Sequence, residues 1–161
     1  QPRSIKWYSP GSSYCWFTAR AMSWSRLGYV YSQNRYDRLE YLQKWLPLAE
    51  ECFEEALKCA PRDQYQVFNI ARYWVWRSQL LPKNLIATPG NSRPETWEEG
   101  VAKFQDLFRH YLTIDPDGWQ DAFDSVWDTY PEDQIVFGIV PDENEEMKSL
   151  ILQEIAKRSG T

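Results

Sequence analysis

Histidine is almost missing from this chain of 161 residues: His110 stands alone. Without a second histidine there is no paired-histidine or HExxH site, and the three cysteines, Cys15, Cys52 and Cys59, form no Cys-x2-Cys pair, so no metal centre is expected. No GxSxG elbow, phosphate loop or dinucleotide fingerprint occurs either, and neither enzymatic activity nor a cofactor is expected. Asp115-Pro116-Asp117-Gly118 resembles the start of a calcium loop. Its glycine comes at the fourth position instead of the sixth, however, and the twelfth position is Val126 instead of a glutamate.

An odd number of cysteines excludes a simple disulfide framework. Cys52 and Cys59 share a helix face, but seven residues at 1.5 Å each put them about 10 Å apart, too far to bridge. Free thiols in a reducing cytoplasm are the expectation. Seven glycines are too few for the many turns of an all-β domain, which favours helices. Apolar runs are short and broken by charge, so no membrane span is expected. The chain opens on Gln1-Pro2-Arg3 with neither an initiator methionine nor a secretory h-region, and is expected to be a processed chain or a piece of a longer one.

What the chain does have is aromatic mass. Aromatic residues make up 16%, with nine Trp and ten Tyr, within a globular composition of 43% hydrophobic and 25% charged residues. A helical core takes some of these rings and a recognition surface takes others. The length suits a single domain. Charge is lopsided. Residues 1–47 hold seven Lys/Arg against Asp37 and Glu40, whereas residues 95–161 hold five against sixteen acids. Such a dipole steers partners, or promotes head-to-tail self-contact. The pairs Glu50/Glu51 and Glu54/Glu55 are read as a solvated helix face, since a glycosidase-type carboxylate pair needs a cleft.

Residues 1–12 read as an extended lead-in, and Ser12 or Ser13 caps a first helix running to about Gln33. A second runs from about Tyr36 to Ala60 on Leu39, Leu42, Trp45, Leu46, Ala49, Phe53, Ala56 and Leu57. The apolar period continues through Pro47, so a kink or two nearly collinear helices are expected there. Asp63 caps a third helix with Val67, Ile70, Ala71, Trp74 and Val75 inward. A proline-rich loop over 82–95 follows, then a fourth helix from Thr96, a fifth over Trp119–Thr129, and a last one capped by Asp142 and ending near Arg158. Residues 135–140, Ile-Val-Phe-Gly-Ile-Val, read as a short strand or an extended segment packed on the bundle.

Within the first two helices stand Trp24-x2-Leu27-Gly28-x2-Tyr31 and Ala49-x3-Phe53-x2-Ala56-x4-Pro61. Residues 24–61 thereby resemble a tetratricopeptide repeat, with a gap between the halves about nine residues longer than the 34-residue unit allows. A weaker second copy joins Val67, Ile70, Ala71 and Trp74 to Phe104, Phe108, Tyr111 and Pro116. The resemblance covers about residues 14–130. It implies an all-α fold of stacked antiparallel helical hairpins closed by a C-terminal capping helix. It also implies a non-enzymatic scaffold or adaptor whose groove binds a partner peptide or protein. Groove-facing positions carried over are Met22, Ser25, Tyr29, Ser32 and Gln33 on the first helix, and Tyr65, Phe68, Arg72, Val75 and Trp76 on the third. On the fifth they are Gln120, Phe123, Trp127 and Tyr130. The expected anchors are Tyr29, Gln33, Tyr65, Phe68, Arg72, Trp76, Phe123 and Trp127, rich in the residue types of binding hot spots. The alternative is a helical nucleic-acid-binding subunit. It would use Arg3, Lys6, Arg20, Arg26, Arg35, Arg38 and Lys44, which alternate with aromatics such as Trp7, Trp16 and Tyr36.

Overall fold

The computed structural model describes residues 13–33, 41–83 and 93–160, which hold seven α-helices and no strand. The helices are α1 (Ser13–Ser32), α2 (Leu46–Cys59), α3 (Gln64–Ser78), α4 (Trp97–Ile114), α5 (Trp119–Trp127), α6 (Asp133–Phe137) and α7 (Glu145–Arg158). The expected lead-in over 1–12, the start of the second helix near Tyr36, and most of the proline-rich loop lie outside the described residues. None of the described helices is long and apolar enough to cross a membrane. The chain divides into two compact units, residues 1–66 and 67–161.

In the first unit α1 packs on α2. A five-residue π-helical turn, Tyr41–Trp45, leads directly into α2, and Pro47 sits in the first turn of α2. Proline has no N–H, and its ring crowds the carbonyl four residues earlier, so the widened turn relieves the clash while the helical path continues. Leu46, Ala49, Phe53 and Ala56 are fully buried. Gly28 lies beneath the Phe53 ring: a Cβ there would stand 2.8 Å from Phe53 Cε1. Tyr29 meets Phe53 edge-on at 5.3 Å between centroids, and Tyr31 meets Trp45 at 5.5 Å.

Two positions in this unit depart from what residue type suggests, and Glu50 also departs from the expected solvated face. Leu27 is 38% exposed, because the buried stripe of α1 runs through Ser25, Gly28 and Ser32, about 100° round the helix from it. Glu50 is 2% exposed instead of solvated, because it shares the stripe of Leu46, Ala49 and Phe53 at helical spacing.

In the second unit the inner stripes fall where the period puts them. Val67, Ile70, Ala71, Trp74 and Val75 of α3 are buried, as are Val101, Phe104, Phe108, Tyr111 and Leu112 of α4; of the expected inward set Met147, Leu150, Ile151 and Ile155 on α7, Leu150 is only half-buried and the other three are buried. Helix starts follow capping chemistry. Asp63 Oδ1, still in the first unit, accepts from the Tyr65 and Gln66 amides at 3.1 and 3.3 Å, at the head of α3. Thr96 and Glu99 form a reciprocal capping box on α4.

The expected cap on the last helix is wrong by two residues. Asn144, not Asp142, accepts from the Met147 amide at 2.9 Å, because α7 starts only at Glu145. Residues 135–140 are neither strand nor extended. They complete the short α6 and the turn after it, and Ile135, Val136, Ile139 and Val140 are buried at i, i+1, i+4 and i+5, a helical spacing. The branched side chains suggested a strand, but tertiary burial decided otherwise. Arg109 donates to the Gly138 carbonyl, and Gln105 Nε2 donates to the Ile135 carbonyl at 3.0 Å, so α4 holds this segment by its backbone.

A buried polar cluster joins three segments of the second unit. The Ser78 and Tyr130 hydroxyls are 2.7 Å apart, Trp97 Nε1 donates to Tyr130 at 3.2 Å, and Ser78 also donates to the Val75 carbonyl at 2.7 Å. Tyr130 stacks on Phe104 at 5.9 Å. The ring therefore fills core space while its hydroxyl satisfies groups that burial would otherwise penalise.

Candidate functional site

An open groove of about 540 Å³ lies in the second unit, between α3 and α5. From α3 it takes Phe68, Arg72, Val75 and Trp76. From α5 and the two residues after it come Asp121, Asp124, Ser125, Asp128 and Thr129. The size falls within the ordinary range for small-ligand and short-peptide sites.

The α3 wall is aromatic and carries one cation. Phe68 is held from behind by Phe108 at 5.8 Å and Tyr111 at 5.0 Å. Arg72 is exposed, with its guanidinium carbon 5.9 Å from the Phe68 centroid. Trp76, half-buried, packs on Tyr73 at 5.7 Å. Rings fixed in this way lose little freedom on binding, which favours their use as anchors.

The α5 wall is acidic. Asp121, Asp124 and Asp128 recur at spacings of three and four, so they line one face. Ser125 bonds back to the Asp121 carbonyl at 2.7 Å, which leaves the carboxylates as the prominent polar heads of this wall. Asp124 is tied to Arg158 of α7 at 2.6 Å, and Arg158 also meets Glu154 at 3.0 Å. The hydrogen bonds to Glu154 and Asp124 hold the Arg158 guanidinium above its ordinary pKa. Among the described residues no group of three His, Cys, Asp or Glu side chains is placed to hold a metal ion.

The carried-over positions are distributed unevenly. Four of the five on α3 line the groove; Tyr65, at the start of that helix, is 72% exposed and lies outside it. None of those on α5 lines it. Phe123 is fully buried, stacked on Trp127 at 5.4 Å and covered by Arg158 at 5.2 Å from its centroid. Tyr130 belongs to the buried polar cluster, and Gln120 is exposed. Because α7 covers the Phe123 side, the groove receives the positions one residue later, 121, 124 and 128, about 100° round the helix. Met22, Ser25, Tyr29, Ser32 and Gln33 are in the first unit: Ser25 and Ser32 are buried, Tyr29 is half-buried against Phe53, and Met22 and Gln33 are exposed.

Sequence reasoning missed the acidic wall. Its signal was the Asp-x2-Asp-x3-Asp spacing, hidden within a segment that is acidic throughout. His110 is half-buried on α4 and does not line the groove. No protein-family model, curated protein or solved structure matches the chain.

Proposed function

We propose that this chain is a non-enzymatic, tetratricopeptide-like scaffold that binds a partner's peptide segment in the groove between α3 and α5. The observation that carries this reading is the wall formed by Phe68, Arg72, Val75 and Trp76. These are positions the repeat resemblance assigns to a concave binding face, and they border open space. The ring pairs Tyr29–Phe53 and Tyr31–Trp45 run in opposite chain order, which supports antiparallel packing of the first hairpin. Gly28 beneath Phe53 supports the close helix approach that such a hairpin requires. The aspartates on the facing wall would repel a phosphate backbone, which favours protein over nucleic acid at this groove.

Trp76 is the expected hot spot. Trp76→Ala should keep the far-UV helical signal and weaken a bound peptide by about 2 kcal/mol, or about 30-fold. The measurement is fluorescence anisotropy with peptides selected from a random display library on the wild-type chain. Equal affinity for wild type and variant would reject the groove as the binding site.

A further inference from the structure

Resting on the reading of this groove as a peptide site, we infer that its occupant is a short extended segment carrying two Lys or Arg residues three positions apart, with an apolar side chain between them. Charge supplies the first argument. Asp121 and Asp128 are exposed, and among the described residues neither carboxylate is in an ion pair, whereas Asp124 is shared with Arg158. Asp128 lies at the C-terminal end of α5, where the helix dipole disfavours an anion. An arriving cation would relieve that penalty. The surrounding segment, 95–161, carries five cations against sixteen anions, so the field around the groove draws positive groups.

Spacing then supplies the conformation. Asp121 and Asp128 are seven residues apart on one helix face, or about 10 Å at 1.5 Å per residue. A polyproline-II segment rises 3.1 Å per residue with three residues per turn, so its positions i and i+3 share a face about 9 Å apart. The opposite wall sets the orientation. Trp76 receives the apolar side chain, and Arg72 repels the basic ones toward α5.

The test uses the full chain and a random-sequence display library selected at low salt. Selected peptides should carry Lys or Arg at three-residue spacing. Their affinity should fall as NaCl rises from 50 to 500 mM. The pair Asp121→Asn and Asp128→Asn should weaken them about five- to tenfold, and Arg72→Gln should strengthen them about twofold. Both aspartates are exposed, and far-UV circular dichroism verifies the fold of each variant. Selected peptides that need Trp76 but are acidic or neutral, or that ignore the aspartate pair, would overturn this inference and leave the groove reading standing. Peptides that bind regardless of Trp76→Ala would overturn both.

Discussion

The two units share one packing device, and the second adds another. In the first, α1 and α2 meet where a side chain is missing: Gly28 leaves a hollow and Phe53 fills it. In the second, Gly100 and Gly118 admit close contacts of the same kind, and the hydroxyls of Ser78 and Tyr130 and the indole N–H of Trp97 add a polar join. The first kind of seam depends on shape and tolerates no added atom. The second depends on direction, and fixes three segments by bonds with defined geometry. The groove is found in the second unit, and a site whose rings must stand still benefits from such fixing.

The sharpest way to break the contrast acts on the shape seam. Phe53→Ala should cost about 3–5 kcal/mol, read by urea denaturation, because a fully buried ring leaves a cavity. In the wild-type background Gly28→Ala should also destabilise, by about 1–2 kcal/mol. Overpacking against a ring with no free space outweighs the roughly 1 kcal/mol gain in helix propensity. In the Phe53→Ala background the sign should reverse, since the methyl then enters a void. A Gly28→Ala change with the same sign in both backgrounds would show that Gly28 and Phe53 are not coupled.

The intermediate test acts on the polar seam. Tyr130→Phe keeps the ring on Phe104 but deprives the Ser78 hydroxyl and Trp97 Nε1 of their shared partner. Ser78 retains its bond to the Val75 carbonyl, so the loss should be about 1–2 kcal/mol. Hydrogen exchange should quicken in α3 and α4 and stay unchanged in α1 and α2. Uniform acceleration across the chain would mean that the polar cluster is not a local fastener.

Periodicity made most of the helices legible. Val67, Ile70, Ala71, Trp74 and Val75 repeat at intervals that no strand reproduces, and all are buried. Caps were legible where side-chain chemistry left one choice, as at Asp63 and Thr96, and misread where Asp142 and Asn144 competed two residues apart. Residues 135–140 misled because β-branched side chains suit both a strand and a buried helical turn; Gln105 and Arg109 of α4, which bond this segment's backbone, are about thirty residues away in sequence. The groove was half legible for a related reason. The outward face of α3 follows from its own stripe. The face that α5 offers depends on α7, whose Arg158 covers Phe123, and nothing local to residues 119–129 encodes that.

The smallest expected effect sets two thiols on one helix against each other. Cys52 lies on the buried face of α2 and Cys59 is half-buried near its end. Burial first, and then the negative charges of Glu51 and Glu55, push the Cys52 thiol above its ordinary pKa of 9.0. A raised folded-state value favours the neutral thiol. Its contribution to stability is therefore complete below the unfolded pKa and is lost as pH rises through the folded one. Between pH 7 and 8.5 stability should not change on this account, and above about pH 9 it should begin to fall. Alkylation reports the same shift more directly, because only the thiolate reacts. At pH 8 iodoacetamide should modify Cys59 at least tenfold faster than Cys52, as read by peptide mass spectrometry. In the Phe53→Ala variant Cys52 should gain on Cys59, because loosening the shape seam admits water to the buried face of α2. Equal rates in the wild-type chain would show that this face of α2 already opens without the mutation, and that the first unit is held less tightly than its close-packed seam implies.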